Sequence, residues 1–185
     1  MGAYIDFDKS SPQIQVQIAT SFISIEQARM NLEHEVPEWD FKQLCNNTKK
    51  AWNDKLSKFH IKGNDKDDAP IFYTALYHCY LFPREFSEYG KYYSAFDDKI
   101  HDGFSYNDYS LWDTFRAFHP LMTLIEPELT GDWITALLQM YKEGGWLPMW
   151  PNPSYTNIMI GTHADAVIAD AYMKGIRNYD IGLAY

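Results

Sequence analysis

Prolines and a glycine pair divide most of this 185-residue chain into short helical segments, and this division limits the folds that the chain can adopt. Pro83, Pro127 and Gly144-Gly145 each stand where an apolar, helix-forming stretch ends, because neither residue type readily continues a helix. We predict helices over residues 70–82, 110–125, 131–143 and 162–176, with a fifth that begins at Asp180. The chain is therefore predicted to be mainly α and built from helical hairpins.

A short β segment is expected before the first helix. Ile14, Val16 and Ile18 alternate with polar residues, which is the period of a half-buried strand. Because a single strand cannot form a sheet, its partners must lie elsewhere.

Two further helices are predicted between this strand and the hairpins. Ser24 and Gln27 have the spacing of a capping box, so a helix should begin there and end at the pair Val36-Pro37. Asp40 is expected to cap the next helix, which should end at Gly63.

The connections between the hairpin helices alternate between long and short. Residues 83–109 form one long connection and residues 144–161 form another. If the helices run alternately up and down, both long loops lie at one end, where binding sites are usually built. This end would collect ten aromatic residues, Tyr89, Tyr92, Tyr93, Phe96, Phe104, Tyr106, Tyr109, Trp146, Trp150 and Tyr155.

Aromatic residues make up 17% of the chain, and two readings of this fraction are open. Aromatic rings fill protein cores, but a flat ring can also stack on the apolar face of a sugar. The stretch from Gly144 to Pro151 favours neither reading, since Trp146 and Trp150 could be displayed to a ligand or could plug the end of the helical array.

Two predicted helices begin with the same pattern, a hydroxyl residue followed three positions later by an aspartate. Ser110 precedes Asp113, and Thr162 precedes Asp165. Taken singly, each pair is most simply a capping box that stabilises its helix.

A binding role for these aspartates is favoured by their neighbours on the same predicted face. Trp112 adjoins Asp113 and His163 lies near Asp165, so a ring could stack on a sugar while a carboxylate accepts bonds from its hydroxyls. Arg116 could reach a ligand, although an ion pair with Asp113 is the simpler expectation.

Charge and spacing exclude several other classes of function. The net charge of −9 disfavours nucleic acid, whose phosphates require lysine and arginine. Two cysteines in helical patterns and no HExxH motif give no zinc signature. Asp97, Asp98, Asp102 and Asp108 do not follow the calcium-loop pattern and are expected to lie in a solvated turn that reverses at Gly103. No apolar run is long enough to predict a membrane span or a signal peptide.

Several blocks of sequence, in one order, resemble glycoside hydrolase family 92. They are Ser21-Phe22-Ile23-Ser24, Phe72-Tyr73-Thr74-Ala75-Leu76-Tyr77-His78, Ser110-Leu111-Trp112-Asp113-Thr114-Phe115-Arg116, Gly144-Gly145-Trp146-Leu147-Pro148, and Ile160-Gly161-Thr162-His163-Ala164-Asp165-Ala166-Val167. The resemblance extends over nearly the whole chain. Phe118 departs from it, because a glutamate is expected before His119-Pro120.

The resemblance implies a partial (α/α) toroid of helical hairpins behind a β-sandwich. Residues 1–24 would end the β-sandwich domain, residues 25–63 would be linker helices, and residues 64–185 would be the first part of the toroid. The implied activity is that of an exo-acting, inverting, calcium-dependent α-mannosidase that acts on mannose-containing glycans and is secreted, periplasmic or cell-surface in a bacterium. The implied substrate-binding residues, together with those inferred above, are Trp112, Asp113, Arg116, Trp146, His163 and Asp165.

The resemblance also implies that the catalytic machinery lies beyond Tyr185. No catalytic residue and no metal ligand is assigned within this chain, which is expected to bind no calcium and to be inactive by itself. Its helices should then leave apolar faces partly bare, or covered by the remainder of the enzyme or by a second copy. Two other classes stay open, a non-catalytic sugar-binding module and a helical interaction protein.

Overall fold

The computed structural model describes residues 4–7, 10, 13–63 and 65–185. The chain forms two compact units, residues 1–51 and residues 52–185, and each is described by itself. Across the described residues, no helix is both long enough and apolar enough to cross a membrane.

The first unit contains the two helices predicted before the hairpins. Helix α1 (Ile25–Glu35) begins where the Ser24 side chain accepts a hydrogen bond of 3.1 Å from the backbone of Gln27. Helix α2 (Phe41–Leu56) begins where Asp40 accepts from the backbone of Gln43 at 2.8 Å and continues into the second unit. Both predicted starts are confirmed.

The predicted end of α2 at Gly63 is wrong, because the helix stops at Leu56. In the second unit the Phe59 ring packs edge-on against the Phe72 ring, with centroids 5.7 Å apart. The backbone carbonyl of Phe59 accepts a hydrogen bond of 2.8 Å from the Tyr73 hydroxyl. These tertiary contacts fix a non-helical path before the glycine is reached.

The predicted strand at residues 14–18 does not pair with another strand in the described structure, where residues 13–20 belong to no helix or strand. The side chain of Gln17 instead donates to the carbonyls of Val36 and Glu38, at 3.4 and 3.2 Å. An isolated strand has no ladder to stabilise it. Residues 1–3, 8–9 and 11–12 of the predicted β segment lie outside the described residues.

The second unit opens with α3 (Asp68–Cys79) and then forms two small antiparallel sheets within the long connection. Strand β1 (Arg84–Glu85) pairs with β4 (Tyr106–Asn107), and between them β2 (Lys91–Ser94) pairs with β3 (Lys99–Asp102). This stretch was predicted to be a loop, and neither sheet was expected.

The predicted helix of residues 110–125 is two helices, α4 (Leu111–Thr114) and α5 (Phe118–Ile125). Pro120 has no N–H to donate to the carbonyl of Arg116 and its ring would clash there, so the helix breaks before it rather than bending. Pro120 is then in the first turn of α5, where the missing N–H costs little.

Pro127 begins the next helix as well as ending the previous one. Helix α6 (Pro127–Gly144) therefore starts four residues before the predicted Gly131, with Glu126 alone between it and α5. Gly145 is its C-cap. The φ of 89° there lies in the left-handed region, which glycine adopts more readily than other residues.

The core is centred on α6, which has buried residues on nearly every turn. One cluster joins it to Tyr109, Leu111, Met122 and Val167, and a second joins it to Ile168 and Ile176. Helix α7 (His163–Met173) and the short α8 (Ile181–Ala184) complete the unit, and Asp180 caps α8 as predicted. The fold is mainly α.

Candidate functional site

The two long connections of the second unit contact each other, as the alternation of loop lengths predicts. The Asn107 side chain donates a bond of 2.7 Å to the carbonyl of Pro153. The rings of Phe96 and Tyr155 also meet edge-to-face, with centroids 4.7 Å apart. Residues 83–109 and 144–161 thus form one loop cluster. It lies at the start of α4, the end of α6 and the start of α7.

Four aromatic residues of this loop cluster belong to the core and are not available to a ligand. Tyr109 and Tyr92 are fully buried, and Phe96 and Tyr106 pack against the main core cluster. The Tyr109 hydroxyl donates to the carbonyl of Trp133 at 2.9 Å. For these four residues the core reading of the aromatic fraction therefore holds, because their rings pack against α6 and its neighbours.

Trp146 is the tryptophan that the loop cluster does display, since its side chain is 77% exposed. It lines an open cavity of about 440 Å³ between the end of α6, the start of α7 and α8. Asp165 and Thr162 supply polar groups to the same cavity, while Tyr141 and Leu147 are among its apolar walls. Two of the six predicted binding residues, Trp146 and Asp165, therefore share one concave surface.

Trp112, Asp113 and Arg116 lie on and just after α4. Trp112 is 38% exposed, and Asp113 beside it is exposed. The Arg116 guanidinium lies 4.5 Å from the Trp112 ring centroid and donates to the Trp112 carbonyl at 2.6 Å. Within the described residues no ion pair joins Arg116 to Asp113, so the expected pair is not formed, and Arg116 instead stacks on rings.

His163 connects this α4 motif to the start of α7. Its ring stacks face-to-face on Phe115, with centroids 4.3 Å apart and an interplanar angle of 5°. Gly161 also lies against the ring, since a side-chain Cβ there would be 2.4 Å from the His163 Nε2 atom. The buried Nε2 atom has no hydrogen-bond partner within the described part of the chain. His163 is thus a packing bridge between the two motifs.

The capping-box alternative for the two aspartates finds no support in the geometry. Neither Ser110 nor Thr162 makes a side-chain cap hydrogen bond to its helix. Asp165 accepts instead from the backbone of Ala166 at 2.8 Å. The aspartates of both motifs are exposed, which leaves their carboxylates accessible to a ligand.

The end of α6 is tied to the β2–β3 hairpin by the partly buried carboxylate of Glu143, which no sequence pattern predicted. Glu143 accepts hydrogen bonds from the hydroxyls of Tyr92 and Ser94, and the Ser94 bond is 2.6 Å long. Burial and the hydrogen bond to Glu143 raise the pKa of Tyr92. Asp97 pairs with His101 at 3.1 Å; burial acts to raise the pKa of Asp97, but the contacts with His101 and Lys99 outweigh it and lower that pKa.

The acidic residues of the long connection are engaged in protein contacts. Asp102 pairs with Lys91 at 2.8 Å, and Gly103 follows with a φ of 124°, as expected for a reversal. Asp108 differs from the expected solvated turn, because it is 7% exposed and pairs with Arg84 at 2.6 Å. No group of three or more histidine, cysteine, aspartate or glutamate side chains in the described part of the chain could hold a metal ion.

Comparison with protein families shows a match to the model of the glycosyl hydrolase family 92 catalytic domain, over residues 27–185. A family 92 inverting mannosidase from Bacteroides thetaiotaomicron has a similar structure, with a TM-score of 0.85 and 38% identity over 89% of this chain and 23% of its own. An α-mannosidase of the same family and organism, solved in complex with mannoimidazole, has a TM-score of 0.84 and 31% identity over 89% of this chain and 22% of its own.

Among curated proteins, a secreted glycosidase of uncharacterised activity from Arthroderma benhamiae is 29% identical over 100% of this chain and 21% of its own length. The chain therefore spans less than a quarter of the length of these relatives.

Proposed function

Because the chain belongs to glycosyl hydrolase family 92, we propose that it forms one wall of the mannose-binding pocket of an α-mannosidase. The family match covers residues 27–185, and two relatives of known structure are described as mannosidases. The substrate would be the terminal mannose of a glycan. A neutral sugar is compatible with the net charge of −9.

One contact supports this proposal above the others, the face-to-face stack of Phe115 on His163. It places the exposed Trp112-Asp113 pair next to the helix start whose Asp165 lines a cavity with Trp146. Two tryptophans and two carboxylates are thereby gathered around one loop cluster. This is the chemistry that a pyranose needs, with flat rings for its C–H face and oxygens for its hydroxyls.

Each residue has a distinct role in this proposal. Trp112 stacks on the sugar, and Asp113 accepts hydrogen bonds from two neighbouring hydroxyls. Arg116, which lies over the Trp112 ring, holds that ring in place. Trp146 and Asp165 form the adjoining part of the pocket, and His163 keeps the two parts together.

Bond cleavage is not assigned to any residue of this chain. An inverting glycosidase requires an acid and a base with carboxyl groups roughly 6.5–9.5 Å apart and a water molecule between them. We propose that these groups, and the calcium that the family resemblance implies, belong to other parts of such an enzyme. Among the described residues, no group of three or more histidine, cysteine, aspartate or glutamate side chains could hold a metal ion.

The proposal extends to the architecture and location of the enzyme. Residues 64–185 would be the first part of an (α/α) toroid, residues 25–63 its linker helices, and residues 1–24 the end of a β-sandwich. The enzyme would act outside the cytoplasm, which is in keeping with the description of one curated relative as secreted.

Mannose binding by the 185-residue chain tests the proposal. Titration with methyl α-mannoside should change the tryptophan fluorescence with a millimolar dissociation constant, while methyl α-galactoside should bind more weakly. Trp112→Ala should abolish the response. Equal binding of both sugars, or binding that persists in Trp112→Ala, would remove mannose recognition from this surface.

Turnover separates the pocket wall from a complete enzyme. The purified chain should not hydrolyse an aryl α-mannoside, with or without calcium. Hydrolysis at ordinary enzymatic rates would show that a catalytic acid and base are present among these residues, against the proposal.

A further inference from the structure

The turn that follows α6 is clamped by the hydroxyl of a residue nine positions further along the chain. The Tyr155 hydroxyl accepts a hydrogen bond of 3.1 Å from the backbone N–H of Trp146. It donates one of 2.7 Å to the carbonyl of the same residue. Both backbone groups of Trp146 are therefore held by a single side-chain atom.

The surroundings of Tyr155 leave its hydroxyl little freedom. A side-chain Cβ at Gly144 would lie 2.3 Å from that hydroxyl, so the glycine makes room for it. The Tyr155 ring packs edge-on against Phe96, and its backbone forms a β-bridge with Pro151. Burial raises the pKa of Tyr155, so the hydroxyl keeps the proton that it donates at neutral pH.

The clamp matters because the Trp146 side chain receives little support from packing. The residue is 77% exposed and stands at the edge of the cavity that Asp165 also lines. Gly145, with its left-handed φ of 89°, ends α6 immediately before it. The hydrogen bonds of Tyr155 thus fix the backbone from which the Trp146 ring projects.

We propose that Tyr155 is a positioning residue that sets the affinity of the pocket for sugar by holding Trp146, without touching the sugar itself. The proposal rests on the proposed function, in which Trp146 contacts the substrate. A ring that must be ordered upon binding costs conformational entropy, and a ring already held at its backbone costs less. Loss of the clamp should therefore weaken binding rather than abolish it.

The test uses Tyr155→Phe in the 185-residue chain, which removes one oxygen and keeps the ring on Phe96. Labelling with 5-fluorotryptophan gives each of the six tryptophans a ¹⁹F signal, and Trp146→Phe assigns the relevant one. Tyr155→Phe should shift or broaden the Trp146 signal and raise the dissociation constant for methyl α-mannoside about five-fold. Gly144→Ala places a methyl group where the Tyr155 hydroxyl now lies, so it should change the Trp146 signal and the affinity in the same direction.

Tyr73→Phe is the matched control, because the Tyr73 hydroxyl also bonds a backbone carbonyl, that of Phe59 at 2.8 Å. It should alter neither the Trp146 signal nor the affinity. In a Trp146→Ala background, Tyr155→Phe should have no further effect on binding.

The outcomes distinguish this proposal from the one on which it rests. If Trp146→Ala weakens binding and Tyr155→Phe does not, the positioning role is wrong and the pocket stands. An effect of Tyr155→Phe that persists in the Trp146→Ala background overturns the positioning role as well. If the wild type does not bind the mannoside, or Trp146→Ala binds as tightly as the wild type, the place of Trp146 in the pocket fails and the positioning role fails with it.

Discussion

His119 is an ionisable side chain enclosed by aromatic rings. It is 2% exposed, and the rings of Tyr109, Phe118 and Trp133 surround it. Neither ring nitrogen has a hydrogen-bond partner in the described part of the chain. Burial lowers the pKa of His119 from 6.5 to about 4, because a charged imidazole would lose its hydration there.

Because of this lowered pKa of His119, we expect the free energy of unfolding to decrease as the pH falls. The unfolded chain takes up a proton at His119 below pH 6.5, whereas the folded chain resists protonation until the pH is about 4. The associated stability is fully present above pH 6.5 and decreases by about 3 kcal/mol as the pH falls towards 4. Urea unfolding at several pH values should show this loss, and His119→Phe should reduce it. An identical pH dependence in the variant would contradict the assignment.

Asp113 offers a choice between a helix-stabilising and a ligand-binding role. Asp113→Asn keeps the shape of the side chain and removes its charge. Mannoside affinity should fall about ten-fold or more, because hydrogen bonds to a charged acceptor are the stronger ones. The stability should change by only about 0.5 kcal/mol, the size of a helix-dipole interaction.

The matched control for this variant is Asp68→Asn, since Asp68 is also an exposed aspartate in the first turn of a helix. It should leave mannoside affinity unchanged. A lowered melting temperature together with unchanged affinity in Asp113→Asn would leave only the role in the helix. In an enzyme that contains this chain, the same variant should reduce kcat/KM far more than stability.

Helix α6 contains a glycine, Gly131, against which the Asn178 side chain packs closely. A Cβ at Gly131 would lie 1.9 Å from the Asn178 Oδ1 atom. The Nδ2 group of the same Asn178 amide donates to the carbonyl of Glu128 at 2.9 Å. Gly131→Ala should gain about 1 kcal/mol in helix propensity and lose about as much in the displaced hydrogen bond. In an Asn178→Ala background the same change should stabilise by about 1 kcal/mol. Equal effects in both backgrounds, measured by chemical denaturation, would show that the two residues do not interact.

Local sequence signals predicted the helices well wherever the end of a helix is decided by its own residues. Ser24, Asp40 and Asp180 cap helices as predicted, and Gly145 ends α6. The signals failed where a tertiary contact determines the end of a helix. Phe59 was predicted to lie in α2, but it lies beyond the end of the helix and packs on Phe72. The two small sheets were missed because strands of two to four residues are too short for a periodic pattern.

The site was predictable in part for the same reason. Loop lengths, with helices running alternately up and down, predicted that the two long connections lie at one end. The bond from Asn107 to Pro153 is one of the contacts between them. The sequence predicted only that Trp146 and Asp165 lie at the same end of the helices, and not that they line one cavity. The role of Tyr155 could not be predicted, because its hydroxyl bonds a residue nine positions earlier in a loop, and no local spacing indicates that contact.

The second unit has a well-buried central helix and outer helices with exposed apolar side chains. Helix α6 is buried on most of its surface, but the outer helices and the second long connection leave large apolar side chains in solvent. Leu124 of α5 is 79% exposed, Met173 of α7 is 81% exposed, and Ile160 is 85% exposed. This agrees with the expectation of partly bare helix faces. Within family 92 we propose that further parts of the catalytic domain cover these side chains.

The bare faces lead us to expect that the isolated chain self-associates through apolar contacts. In sedimentation velocity at tens of micromolar, species heavier than the 21.6 kDa monomer should appear. Since each chain has a net charge of −9, repulsion opposes association, and added salt should increase it by screening that repulsion. Leu124→Lys/Met173→Lys should favour the monomer, whereas Thr74→Lys/Ala75→Lys adds the same charge at exposed positions of α3 without removing a large apolar group and should have a smaller effect. A wild-type chain that remains monomeric at all salt concentrations would show that these side chains do not form an interface, whereas dissociation by salt would indicate an ionic contact instead of an apolar one.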